Sequence, residues 1–277
     1  MAPDRAVAQL EVTPEEVELA ADALFQAGAS AVSEAPGGEG LVRLTADVDG
    51  GEVAGLARRW AVIPVEVDED RDLDSWRDHA IATRAGVHLV LCPAWQPLPP
   101  ADPEDVLVVL DPGRAFGSGS HPATRLAVAA VEAWVAPGDR VVDVGCGSGV
   151  LAVVALRLGA GAAVGIDVDP AAVSATAANA EANGVVERLA VRAADLGDPA
   201  SGLSAGSADL AVANIGVRVL SEQAAALQAL VRPGGVVVLS GLLDEQADTV
   251  VARFDECQEL ERRHEAGWAA PVLRRVT

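Results

Sequence analysis

The chain has 277 residues, 51% of them apolar, with a formal net charge of −21 at pH 7. That length suits one large domain or two modest ones, each with a core of its own. Phosphate repulsion argues against direct nucleic-acid binding, and no apolar run approaches the roughly 18 residues that a membrane helix needs.

The opening residues MAPDRAVAQLEV lack the basic and apolar blocks of a secretory signal. Cys92, Cys146 and Cys257 spell neither a zinc site nor a disulfide framework. A soluble protein in the reducing cytoplasm is expected, with no membrane partner. Charge is concentrated at the front, where residues 1–78 hold 18 Asp and Glu against 6 Arg. A dense acidic surface either steers a basic partner or favours solubility.

Residues 5–12 alternate apolar and polar, as a half-buried strand does. Thr13-Pro14-Glu15-Glu16 predicts a helix start, with Thr13 as N-cap and Glu16 closing a capping box, and the helix should run to about Gly28. Strands are expected over 31–35 and 41–48, around the turn Pro36-Gly37-Gly38, then a helix over 52–61 and a strand over 62–68. This β-α-β-β-α-β order predicts a small ferredoxin-like α+β domain over 1–68. The charged stretch 68–78, with Trp76, reads as a linker or hinge. Strands over 87–92 and 106–110 flank a proline-rich loop, and residues 69–105 are taken together as linker and connecting strand.

From residue 106 onward a single α/β domain is expected, running to the carboxyl terminus. Short apolar runs at 141–144, 163–167, 210–214 and 236–240 fit parallel strands covered on both faces. Helices are expected near 149–158, 170–183 and 219–230. This predicts a doubly wound sheet.

The loop Asp143-Val144-Gly145-Cys146-Gly147-Ser148-Gly149 sits where the first of these strands meets its helix. Small residues there let a ligand approach the backbone, and the helix start presents unpaired N–H groups. Its glycines fall at the first, third and fifth positions with Val150 at the sixth, which departs from the nicotinamide fingerprint. Asp143 suits a cationic ligand better than a pyrophosphate. Asp167 lies 22 residues after Gly145, where an acid can accept ribose hydroxyls. Asn214 ends an apolar strand at the same edge. Its amide oxygen can accept hydrogen bonds from an incoming amine. His121 can be a base or a helix cap, and Asp195 either reaches an adenine or is a solvated loop acid.

The loop resembles the first motif of class I S-adenosylmethionine methyltransferases, which implies a Rossmann-like fold and S-adenosyl-L-methionine as cofactor. The segment DPGRAFGSGSHPAT at 111–124 is similar to a signature of the ribosomal protein L11 methyltransferase family (PrmA). The similarity continues through Cys92-Pro93-Ala94-Trp95, GIDVDP at 165–170, the helix ending in Asn183-Gly184, and Val212-Ala213-Asn214-Ile215. It implies protein N-methylation, on lysine or amino-terminal amines of a basic ribosomal protein, by a monomer. The alternatives are another protein-lysine methyltransferase or a small-molecule N-methyltransferase. By position it implies that Thr124, Gly145, Asp167 and Asn214 contact the cofactor, with Phe116 and Gly117 in a covering loop; from the loop chemistry itself Asp143 and Gly147 are also expected to bind it, and Asn214 to serve catalysis by orienting the amine. No metal is needed. The chain departs from the family at Ala123, where a threonine is usual, and at Gly216-Val217-Arg218, a stretch expected to face substrate.

Overall fold

The computed structural model describes residues 5–14, 16–29, 32–38, 40–64, 81–111, 119 and 121–276. The chain divides into two compact units, Met1–His79 and Ala80–Thr277. The expected linker stretch 68–78 lies outside the described residues.

In the first unit β1 (Arg5–Val12), α1 (Val17–Gln26), β2 (Val32–Pro36), β3 (Val42–Asp49), α2 (Val53–Leu56) and β4 (Val62–Pro64) follow the β-α-β-β-α-β order read from the sequence. They form a four-stranded antiparallel sheet in the order β2-β3-β1-β4. The alternation of β1 sends Ala8, Leu10 and Val12 into a core with Leu44, Ala46 and Val48 of β3 and Ala20 and Leu24 of α1. Ala20 and Leu24 are four apart and share a helix face. The Thr13–Glu16 pairing forms, with the Glu16 carboxylate accepting from the Thr13 N–H at 3.3 Å and its hydroxyl at 2.9 Å. It closes a turn ahead of α1 rather than the first helical turn. The helix expected over 52–61 is a single turn, because Gly55 lies inside it and weakens propagation.

The second unit begins with β5 (Thr83–Arg84), β6 (Leu89–Pro93) and β7 (Val106–Leu110), a small sheet in that order. Then come α3 (Pro122–Trp134), β8 (Arg140–Val144), α4 (Val150–Arg157), β9 (Ala162–Asp167), α5 (Pro170–Ala182), β10 (Leu189–Ala193) and β11 (Ala208–Asn214). The chain continues through α6 (Val217–Glu222), α7 (Ala224–Leu230), β12 (Val231–Ser240), β13 (Leu242–Leu243), α8 (Asp244–Val251), β14 (Cys257–Glu265) and β15 (Trp268–Arg275). The large sheet runs β10-β9-β8-β11-β12-β15-β13, with β14 paired to β15. Its first five strands are parallel, and β15 runs against β12.

Alternate residues of the central strands enter two different cores. Val141, Leu210, Val212, Val236 and Val238 pack with Val150–Leu156 of α4, Ala127 and Val131 of α3, and Leu89 and Val108. Val142, Val144, Ala211, Ala213, Val237 and Leu239 pack with Leu220, Leu227, Val250 and Phe254 on the other face. A sheet covered on both faces has only its strand ends open, so the loops at the carboxyl ends of β8, β9, β11 and β12 hold the functional candidates. The expected helix over 219–230 is two helices that meet at Gln223.

Candidate functional site

The glycine loop follows β8 directly. Gly145, Gly147 and Gly149 all have positive φ, at 70°, 54° and 76°. Two of these positions are closed to larger residues by the protein itself. A Cβ at Gly145 would lie 2.3 Å from Ile215 Cγ2, and one at Gly149 would lie 2.5 Å from Thr176 Cγ2. Neighbours hold the loop peptide by peptide. The N–H groups of Gly145 and Cys146 donate to the Ile166 carbonyl at 2.9 and 3.0 Å. Gly147 N–H donates to Asp167 Oδ2 at 2.9 Å, while Asp169 N–H donates to Asp167 Oδ1 at 3.0 Å. Both Asp167 oxygens are thereby aimed by backbone donors, and each keeps capacity to accept another hydrogen bond. Cys146 is buried and burial pushes its thiol pKa up, so it remains a protonated packing residue rather than a nucleophile.

Asp143 is fully buried in β8. Its Oδ2 accepts from Ala152 N–H near the start of α4 at 3.1 Å, and its Oδ1 has no hydrogen-bond partner among the described residues. Burial raises its pKa to about 7, the Ala152 bond opposes this, and the nearby Asp167 charge adds to it. A buried carboxylate oxygen without a donor calls for a cationic partner. The residues present therefore fit a ligand that brings a positive charge to this loop.

The third element is the first turn of α3. Asn214 at the end of β11 donates from Nδ2 to Thr124 Oγ1 at 3.3 Å. The buried Ser240 at the end of β12 donates to the Ala123 carbonyl at 2.8 Å. Thus Thr124 and Asn214, expected at one site, stand together, with Asp143, Gly145, Gly147 and Asp167 at the same strand ends. Ala123, where the family usually has a threonine, is buried and meets Ser240 through its main-chain carbonyl.

His121 is the N-cap of α3. Its Nδ1 accepts from Ala123 N–H at 3.2 Å, and its ring meets Trp268 edge-on at 4.6 Å. Burial lowers its pKa to about 4, the Arg125 cation adds to this, and Glu265 opposes it. The group is neutral near pH 7 and serves as a cap rather than a base. Because the folded pKa lies below the unfolded one near 6.5, the unfolded chain binds the proton first on acidification. The stabilisation is full above about pH 6.5 and is lost as pH falls towards about 4, on the order of 3 kcal/mol in all. His121→Asn retains a capping oxygen without the titration. Its melting temperature should fall less steeply than the parent's between about pH 6.5 and 4.5; equal slopes would remove His121 from the acid response.

Phe116 and Gly117 lie outside the described residues. Asp195 is an exposed loop acid that accepts from Leu196 N–H at 2.6 Å. Gly216 caps α6, and Arg218 is exposed and pairs with Glu222. Among the described residues no three metal-ligating side chains cluster. No helix among them is long and apolar enough to cross a membrane. The residues missed from sequence are on α5. The buried Thr176 donates to the Gly147 carbonyl at 2.9 Å. Asn179 donates to the Ser148 carbonyl at 2.9 Å and to the Asp111 carbonyl at 3.0 Å, and accepts from Asp111 N–H at 2.8 Å. Their only sequence signal was a polar residue recurring on an otherwise alanine-rich helix.

Comparison with known proteins points to one family. Residues 50–276 match the family described as ribosomal protein L11 methyltransferase (PrmA). A protein of that name from Shewanella piezotolerans is 42% identical over 207 residues, covering 74% of this chain and 68% of its own length. One from Actinobacillus succinogenes is 41% identical over 209 residues, covering 75% and 69%. A crystal structure titled ribosomal protein L11 methylase, from Lactobacillus delbrueckii subsp. bulgaricus, has a TM-score of 0.64 at 28% identity. It covers 72% of this chain and all of its own.

Proposed function

This chain belongs to the ribosomal protein L11 methyltransferase family, and from that membership we propose that it methylates amine nitrogens of ribosomal protein L11. It is a class I methyltransferase and its cofactor is S-adenosyl-L-methionine. The observation that carries the reading at the level of residues is the buried Asp143 Oδ1, without a donor among the described residues, set beside the glycine loop and Asp167.

When bound, the cofactor supplies an electrophilic methyl group on a sulfonium sulfur. Asp143 would accept from its ammonium group, and Asp167, already held by two backbone donors, would accept from its ribose hydroxyls. Gly145 and Gly147 keep the loop backbone bare so that the ligand can approach. Thr124 and Asn214 close the site at the start of α3. The Asn214 amide gives its N–H to Thr124, which turns its carbonyl oxygen towards an incoming amine and aims the nitrogen lone pair. A lysine amine, with a pKa of about 10.4 in water, sheds its proton to solvent before attack. The protein contributes orientation and exclusion of water, worth many powers of ten when the geometry is held.

The surplus of acid over residues 1–78 supports the first unit as the surface that receives a basic protein substrate. The whole is a cytoplasmic monomer that needs no direct contact with nucleic acid. Labelled cofactor with purified ribosomal proteins tests the substrate directly. Transfer confined to L11 is expected, and transfer to other amines but never to L11 would overturn the assignment.

The Asp143 contact has a pH signature. A cationic ligand favours the ionised carboxylate, so binding lowers a pKa that begins at about 7. Protons are released on binding, and affinity rises with pH from about 5.5 to 7, by at most tenfold per pH unit. Calorimetry in buffers of different ionisation enthalpy near pH 6.5 should show this release. Its absence would mean that Asp143 does not face the ammonium group.

A further inference from the structure

We propose that Asn179 is a positioning residue for cofactor binding, tying the end of β7 to the glycine loop through its single side-chain amide. The proposal rests on the reading that the glycine loop holds the cofactor.

Asn179 is 2% exposed and lies midway along α5. Its amide pairs with Asp111 as a second peptide would, accepting from the Asp111 N–H and donating to the Asp111 carbonyl. The other amide hydrogen goes to the Ser148 carbonyl, between Gly147 and Gly149. Among the described residues three of the four hydrogen-bonding positions of the side chain are used, and each partner is main chain. One helical turn later Asn183 repeats the peptide-like pairing with β7, accepting from Val109 N–H at 2.9 Å and donating to the Val109 carbonyl at 2.7 Å. Asn183 spends no bond on the glycine loop; its remaining contact is to the Asn179 carbonyl.

The two asparagines thus do the same packing job, and one of them does something more. The loop needs such a tie. Glycine has little conformational preference of its own, so a backbone with three positive-φ glycines in five residues keeps its shape only through outside contacts. Asp167 and Thr176 fix the Gly147 peptide from β9 and α5. Asn179 fixes the next peptide and refers it to Asp111, where β7 hands over to the segment leading into α3. A displaced Ser148 peptide would move the N–H groups at the start of α4 out of register with the ligand. Small misplacements of this kind are costly in a preorganised site.

The test compares the asparagines in the full chain, with the Kd for S-adenosylmethionine read by calorimetry and folding by thermal melting. Asn179→Ala should raise Kd about tenfold. Asn183→Ala should lower the melting temperature by a similar amount yet leave Kd within twofold. Asn179→Asp keeps an acceptor for Asp111 N–H but has no donor for Ser148, and should weaken binding at least as much as the alanine variant. Hydrogen exchange at the Asp111 amide should slow when cofactor is added to the parent chain. Asp167→Ala, which strikes the cofactor site directly, is the control. If it abolishes tight binding while Asn179→Ala behaves like Asn183→Ala, Asn179 is structural only and the inference fails. If Asp167→Ala leaves Kd unchanged, the cofactor site itself has been misplaced and both fail. Should Asn179→Ala not fold, the aspartate variant and the exchange measurement decide, and unchanged Asp111 exchange in the parent would overturn the proposal.

Discussion

Asp167→Ala is expected to weaken S-adenosylmethionine binding by roughly 100-fold or more, with a fall of only a few degrees in melting temperature. A carboxylate that accepts from two ribose hydroxyls makes two hydrogen bonds to a charged group, each worth about 1.5–3 kcal/mol. The sum corresponds to about two to four powers of ten in Kd. The variant also releases the N–H groups of Gly147 and Asp169, which accounts for the modest thermal effect. Asp167→Asn keeps an acceptor oxygen but loses the charge and should fall between the two. Calorimetric titration with S-adenosylmethionine and S-adenosylhomocysteine checks both variants. A loss smaller than about fivefold for the alanine variant would place the ribose elsewhere.

Asn214→Ala should act on turnover rather than on occupancy. Its carbonyl oxygen is assigned to the amine and its N–H to Thr124, so removal leaves the buried Thr124 hydroxyl without this donor. The expected result is a fall in kcat of about 100-fold, the scale set by losing alignment at the reacting centre. The cofactor Kd should rise by less than tenfold, since Asp143 and Asp167 are untouched. Stability should drop by about 1 kcal/mol for the lost buried hydrogen bond. Single-turnover rates at saturating cofactor separate the two effects. If Kd rises steeply and the single-turnover rate is unchanged, Asn214 holds the cofactor alone.

What was legible in the sequence was local. Asp143 to Gly149 and the acid at Asp167 are separated by one helix, and their spacing follows from the length of a β-α-β unit. The alternation in residues 5–12 and the buried runs at 141–144 and 210–214 translate directly into strands, because each face must meet a core. What was not legible depends on distance along the chain. Asn179 meets Asp111 across 68 residues and Asn183 meets Val109 across 74, and nothing in an alanine-rich helix announces a partner so far away.

The carboxyl-terminal strands failed for a different reason. β14 reads CQELERRHE, where charge obscures alternation, yet Arg262 is held by Glu259 and Asp248, and Arg263 by Glu261. β15 lies inside the sheet and contains Pro271, a residue that usually argues against a central strand. The proline is tolerated because it sits opposite Arg262, one position before the register with β12 begins at Val272. The helix expected over 219–230 breaks at the half-buried Gln223, and Leu220 before it and Leu227 after it both reach the core.

The bond between Ser240 and Ala123 has an unequal inheritance. Every amino acid carries a main-chain carbonyl, so no substitution at position 123 deletes the acceptor, and drift there is limited only by the room around a small buried side chain. Position 240 has no such latitude, because the donor is the serine hydroxyl itself. Of the two partners, the serine is the one through which a single-codon change could unseat the start of α3, whereas at position 123 the acceptor survives any side chain that the space admits.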